Sequence, residues 1–294
     1  MPSPHWLTFG FAIPALIGAV LMLLIVWPWR TGAGVRAGIA WAAAPAAGFA
    51  WGFIHTNGWP RINRLESTES QDLLLVVLVP AVMIVAALSS LAKVPAWLTW
   101  ALRWLLCAGT APLLLQPELH GVWTATEATG WIILLTGLLA AMWWSLHRLA
   151  RRCCGAPIPL VFSSVSLATG ATIFLSDSFS LGQLGLSFGA AVAGAAFTIL
   201  IAGRSLPARG AVDFCLVILF GFWLSGIFAP ALTPTNAALL ALAPLAAWAG
   251  QIPALVRSGR WKAEVVRFLA VGTPIAAALI LAARELARSM RGPY

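Results

Sequence analysis

Charged side chains are scarce in this chain. Asp, Glu, Lys and Arg make up 9% of its 294 residues, against 61% that are hydrophobic, whereas a soluble domain carries about 25% charged residues. That shortage excludes an ordinary water-soluble globule and places the chain in lipid, where the bilayer covers apolar surface. Long polar stretches are also lacking. The longest runs only from His55 to Gln71, too short to fold as a soluble domain. The net charge of +9 does not point to nucleic acid, because the basic residues stand singly between apolar runs and form no aromatic-interleaved stripe.

Cysteine is sparse and unpaired in spacing. Cys107, Cys153, Cys154 and Cys215 match neither a zinc pattern nor a disulfide framework. The vicinal pair follows Arg151 and Arg152, whose charge lowers a thiol pKa; a reactive role and two inert thiols are both open. No HExxH helix, GxSxG elbow, GxxxxGK[ST] loop or acidic cluster for Mg²⁺ occurs. With nine acidic residues, most at the ends of apolar runs, the sequence leans away from an enzyme, and no metal or cofactor is expected. Before its first apolar run the N-terminus has no Lys or Arg, so a retained first span is expected rather than a signal peptide.

What the sequence does hold is apolar runs of the length that crosses a bilayer, ~20 residues each. Ten are expected, at 7–29, 36–54, 72–92, 95–116, 129–147, 158–176, 182–202, 211–229, 236–256 and 265–284. The fold class is therefore all-α and polytopic. Residues 1–148 form a first five-helix half, 149–157 a cytoplasmic connector and 158–294 a second half. Alternate loops hold twelve basic residues (Arg30, Arg36, Lys93, Arg148, Arg151, Arg152, Arg204, Arg209, Arg257, Arg260, Lys262 and Arg267). The other side holds five, counting Arg61, Arg64 and the tail's Arg284, Arg288 and Arg291. The positive-inside rule then puts the first set in the cytoplasm and both termini outside. Tryptophans near the expected boundaries, Trp97, Trp143, Trp144 and Trp261 inside and Trp59, Trp123 and Trp131 outside, fit interfacial belts.

An internal repeat is suggested by a shift of 141 residues. It sets Asp72 on Asp213, LVVL (75–78) on LVIL (216–219) and AGTAPLL (108–114) on AGQIPAL (249–255), with eleven identities over 72–116. Five spans is an odd number, so the two halves would be inverted repeats, a plan used by secondary transporters. Prolines inside the runs, among them Pro14, Pro45, Pro80, Pro112, Pro244, Pro253 and Pro274, fit broken helices, or simply the higher proline content of membrane helices.

Few polar groups remain as candidates. Arg103 lies well inside the fourth run, where a central Arg costs about 2.5–3.5 kcal/mol. It can snorkel to the inner surface, pair with Asp213 near that surface, or face a substrate path. Asp72, Asp213 and Asp177 complete the candidate intramembrane polar set. The loop holding His55, Glu66, Glu69 and Asp72 could serve a lipid-modifying enzyme or simply start a helix, with Thr68–Gln71 as capping chemistry. In IFLSDSFSLGQLGLSFG (173–189), Ser180 and Gln183 have capping-box spacing. Asp177 there suits a helix N-terminus or an outward-facing gate. Below it Gly185, Gly189, Ala193 and Ala196 share one helical face and allow close helix approach.

From GQLGLSFGAAVAGAA (182–196) through TNAALLALAPLAAW (235–248) the sequence resembles a family of polytopic bacterial membrane proteins with no assigned function. The resemblance implies a multi-pass protein of the bacterial inner membrane and carries over no site residue. Ten spans in about 300 residues also looks like the general plan of drug/metabolite transporters, although those usually keep both termini inside. The functional expectation is a small-solute permease. The alternatives are a membrane scaffold or assembly subunit, and a lipid-modifying enzyme using the 55–72 loop. Expected partners are the bilayer and, through small-residue helix faces, a membrane protein or a second copy; no nucleic acid is expected.

Overall fold

The computed structural model describes residues 7–26, 33–60, 70–91, 94–116, 123–153, 155–176, 178–203 and 206–290. Among them there are helices and no β-strand. The long helices are α1 Ile13–Val26, α2 Ala33–Asn57, α3 Val79–Ser90, α4 Ala96–Leu114 and α5 Ala125–Arg152, then α6 Pro157–Leu175, α7 Phe179–Ile201, α8 Arg209–Phe228, α9 Pro234–Ala246 and α10 Arg260–Ser289, with short helices at Ser70–Leu73 and Pro253–Ser258. Seven stretches are long and apolar enough to cross a membrane: Thr8–Val26, Gln71–Ser90, Ala125–Arg152, Pro157–Leu175, Phe179–Ile201, Arg209–Phe228 and Trp261–Ser289. They are compatible with a multi-pass membrane protein. The other three expected runs are helical too, but α2, α4 and α9 are not among the seven. In α4, Arg103 and three tryptophans dilute the hydropathy. α9 ends after 13 residues and passes into a 3₁₀ turn at Ala247–Gln251.

Proline accounts for two irregular helix starts. A π-helical turn, Leu7–Ala12, precedes Pro14 in α1, and another, Leu74–Leu78, precedes Pro80 in α3. A proline cannot donate to the carbonyl four residues earlier, so the bonding register widens ahead of it. The carbonyl that Pro14 leaves without a donor is that of Gly10, and the Ser187 hydroxyl of α7 donates to it. This is the repair by a neighbouring helix that proline needs in lipid.

Several expected boundaries move. α5 starts at Ala125 rather than 129, because Thr124 and Glu127 form a reciprocal capping box. It runs on to Arg152, so the connector expected at 149–157 begins inside a helix. The capping box expected from Ser180 and Gln183 does not form. α7 starts at Phe179 with no side-chain cap, and Ser180 instead donates to Asn57 Oδ1 at 2.7 Å. Arg267, expected in a cytoplasmic loop, is a buried residue of α10, which opens at Arg260 rather than 265.

α8 is the hub. Every residue from Gly210 to Gly226 is buried, as befits a helix that is apolar all round. Phe214 and Phe222 of α8 meet Phe188 of α7, and Phe222 also meets Phe49 of α2, all with ring centroids 5.8–6.1 Å apart. Lipid tails are as apolar as these side chains, so close packing rather than transfer from water must hold the bundle together. Glycine supplies that closeness at α7. A Cβ on Gly185 would lie 2.8 Å from Gly170 Cα of α6, and one on Gly189 would lie 2.8 Å from Leu167 atoms. On another side of α7, a Cβ on Gly194 would overlap the Ala15 carbonyl of α1. Ala196 is fully buried and Ala193 half-buried. The expected small-residue face is thus occupied within the chain, chiefly by α6.

Gly185→Leu should therefore lower thermal stability in detergent by about 1–3 kcal/mol or prevent folding altogether. Gly109→Leu, at a position with no atom near the added carbon, should leave stability within about 0.5 kcal/mol of the parent. Fluorescence-monitored melting of the two purified variants makes the comparison.

Candidate functional site

Asp213 sits in the second turn of α8 with none of its surface exposed. A bare carboxylate there would be prohibitive, and three side chains from three other helices answer it. Arg103 of α4 grips both oxygens, Nε to Oδ1 at 3.2 Å and Nη2 to Oδ2 at 2.8 Å. This bidentate fork pairs charge and geometry at once. Trp143 of α5 donates its indole N–H to Oδ1 at 2.7 Å, and Ser89 at the end of α3 donates to Oδ2 at 3.1 Å. Oδ1 thus receives two donors, while Oδ2 receives Arg103 and shares the single Ser89 proton with the Ala86 carbonyl, 2.9 Å from that hydroxyl.

Helical spacing brings these groups together. On α4, Thr99, Arg103, Cys107, Thr110 and Leu114 form the buried stripe, three to four residues apart. On α5, Trp143 and His147 are four apart and share a face. His147 Nδ1 lies 3.9 Å from Asp213 Oδ1, too far for a hydrogen bond. That Nδ1 is buried with no hydrogen-bond partner among the described residues, while the imidazole meets Trp100 edge-on at 5.8 Å. Trp100 also lies under the Arg103 guanidinium, 5.0 Å from ring centroid to Cζ. Rings and carboxylate together fix that cation.

A cavity of about 510 Å³ borders this cluster between α4 and α5, lined by Arg103, Cys107, Gly137 and the rings of Trp100, Trp104, Trp143 and Trp144. Arg103 is the one charged group in its wall. A second cavity of about 370 Å³, where α5, α8 and α9 meet, has only apolar side chains in its lining.

The other sequence-derived candidates fall elsewhere. Asp72 is half-buried in the opening turn before α3 and does not join Asp213. Asp177 lies outside the described residues, as do Glu66, Glu69, Arg61, Arg64, Cys154 and Arg291. Gly185, Gly189, Ala193 and Ala196 belong to the packing of α7. Trp143, expected at the interface, is 1% exposed and belongs to the ion-pair cluster, whereas Trp144 beside it is 49% exposed under Arg148, whose Cζ lies 3.7 Å from the ring centroid.

A second buried charge was also not expected. Arg267 of α10 is 1% exposed and pairs with Glu264 one turn earlier. Its Nε donates to the Ala247 carbonyl at 3.3 Å and its Nη2 to Cys153 Sγ at 3.2 Å. Gln251 donates to the same sulfur at 3.0 Å. Cys153 is therefore a buried acceptor that ties α5 to α10, not a group in an open basic loop. Among the described residues no group of three His, Cys, Asp or Glu is placed to hold a metal ion.

Comparison with known proteins finds no matching family model, no similar curated sequence and no similar solved structure. What the site can do has to be read from its own chemistry.

Trp143→Phe should remove one donor from a buried carboxylate and cost about 1–3 kcal/mol. Trp144→Phe, at a half-exposed ring, should change stability by less than about 0.5 kcal/mol. Thermal melts of both variants in the same detergent separate the two neighbouring tryptophans.

Proposed function

We propose that this chain is a small-solute permease of a bacterial inner membrane, with the Arg103–Asp213 pair as its switchable element. The architecture we propose has ten membrane-crossing helices, α1–α5 and α6–α10, in a five-plus-five inverted repeat with both termini outside. The distribution of basic residues, eleven against five once the buried Arg267 is set aside, and the 141-residue repeat favour it.

The observation that carries the reading is a satisfied ion pair, buried at the core helix, with one partner also lining a cavity. Ionisable groups inside a membrane bundle mark substrate or ion pathways by default. Here the pair has a built-in second arrangement. Asp213 holds Arg103, yet His147 stands 3.9 Å away with a nitrogen that has no hydrogen-bond partner among the described residues. A solute acceptor that draws Arg103 toward the cavity leaves Asp213 free to take His147 as its replacement donor. Exchange of partners costs less than exposing either charge, which is what a two-state gate requires.

The scaffold reading has less behind it, since Gly185 and Gly189 face α6 of the same chain. The enzyme reading rests on a loop whose residues 61–69 lie outside the described set. A second copy or another membrane protein could still meet the exposed apolar side chains of the outer helices.

Proteoliposomes test the permease reading with a mixture of small acids, bases and sugars followed by mass spectrometry. The parent protein should accumulate at least one solute class above empty vesicles. The paired variant Arg103→Met with Asp213→Leu should be present at parental amounts and lose at least about 90% of that uptake, a tenfold drop. Parental uptake by the paired variant would make the ion pair structural only.

A further inference from the structure

We propose that the cavity between α4 and α5 binds a single-chain acidic amphiphile, with its carboxylate on Arg103 and its apolar chain among the tryptophans. The inference deepens the permease reading by naming the class of molecule this site takes, and it rests on that reading only for the question of transport.

Charge decides the head group. Arg103 commits Nε and Nη2 to Asp213, while Nη1 has no hydrogen-bond partner among the described residues. Because Arg103 lines the cavity, the free donor is offered to an occupant. Asp213 is not part of the cavity wall, so a molecule entering meets the guanidinium first and the carboxylate behind it. A second cation reinforces the sign, because Arg148 stacks on Trp144, itself a wall residue. Aromatic walls alone would suit a quaternary ammonium. Here, however, Trp100 and Trp144 already carry Arg103 and Arg148, and a third cation would be repelled.

Shape and access decide the tail. Apart from Arg103, the wall consists of aromatic rings, a thiol, glycine and alanine, with no carboxylate, amide or hydroxyl side chain to match the many polar groups of a sugar or a peptide. Trp104 is 55% exposed, and the adjacent outer surface of α4 and α5 shows Leu105, Leu134 and Leu138. An amphiphile can thus enter from the side where apolar chains would be dissolved. A volume of about 510 Å³ lies within the range of about 300–1,000 Å³ for one small molecule, and is too small to enclose a two-chain phospholipid.

Gly137 provides the test. It lines the cavity, and a Cβ there meets nothing within 4 Å, so Gly137→Leu fills the space without disturbing packing. Gly130 of the same helix is equally unobstructed and is not a wall residue, which makes Gly130→Leu the matched control.

The full chain in phosphatidylcholine nanodiscs is photolabelled with a diazirine analogue of hexadecanoate, and adducts are mapped by mass spectrometry. The expected result is labelling on 96–114 or 125–152, displaced by hexadecanoate about tenfold better than by hexadecanol or hexadecyltrimethylammonium, the effect of losing one charge-assisted hydrogen bond. Gly137→Leu should cut labelling at least about fivefold, the scale of a blocked pocket, and Gly130→Leu should leave it unchanged. Equal competition by the alcohol, better competition by the ammonium, or labelling indifferent to Gly137→Leu would each overturn the proposal. Displacement by phosphatidylglycerol as strong as by hexadecanoate would overturn the single-chain occupant. Binding of the acid without any protein-dependent solute movement contradicts the permease reading and leaves this site standing. Solute uptake without acid binding does the reverse.

Discussion

A carboxylate with no exposed surface must be answered by donors, and at Asp213 those donors come from α3, α4 and α5. That requirement organises one side of the bundle. Apolar helices in an apolar medium have little reason to prefer one neighbour over another, since Leu meets Leu or lipid at similar free energy. Arg103, Trp143 and Ser89 do have a reason. Arg103 and Trp143 lower their desolvation cost by meeting Asp213, so these bonds fix how α4 and α5 sit against α8. On the opposite side α6, α7 and α1 are fixed differently, by glycine contacts such as Gly185 against Gly170. Electrostatic specificity orders one flank and steric closeness the other.

The polar flank also has room in it. A cavity opens there, among the tryptophans beside Arg103. His147 adds a nitrogen with no hydrogen-bond partner among the described residues, a buried polar atom beside the paired charge.

Much of the fold was legible in the sequence. Apolar runs of bilayer length located most of the helices to within about five residues at each end, but the run at 236–256 breaks at Ala246 into a 3₁₀ turn and a short helix, Pro253–Ser258. TATE at 124–127 carries the capping box that starts α5, although the run of hydropathy alone suggested a later start. Arg103 stood out because a lone charge in an apolar run is conspicuous, and pairing with Asp213 was already one of its three expected roles, beside snorkelling and a substrate path. The choice between snorkelling and pairing was not legible, because it depends on which of many similar helices lies beside α4, 110 residues away in sequence. Trp143 and Trp144 illustrate a second limit. Adjacent residues point about 100° apart on a helix, so one is buried against Asp213 and the other faces out, while both read alike in composition. Arg267 shows a third: at the edge of an apolar run it reads as a loop charge, and only the Ala247 carbonyl, Glu264 and Cys153 reveal it as buried.

The central claim is that Arg103 and Asp213 are partners inside the bundle and hold α4 on α8. A double-mutant cycle on thermal or denaturant stability in detergent tests it directly. Arg103→Met and Asp213→Leu should each cost about 3–5 kcal/mol by stranding a buried charge, and the paired variant should recover most of that loss. Losses that simply add in the paired variant would contradict the account.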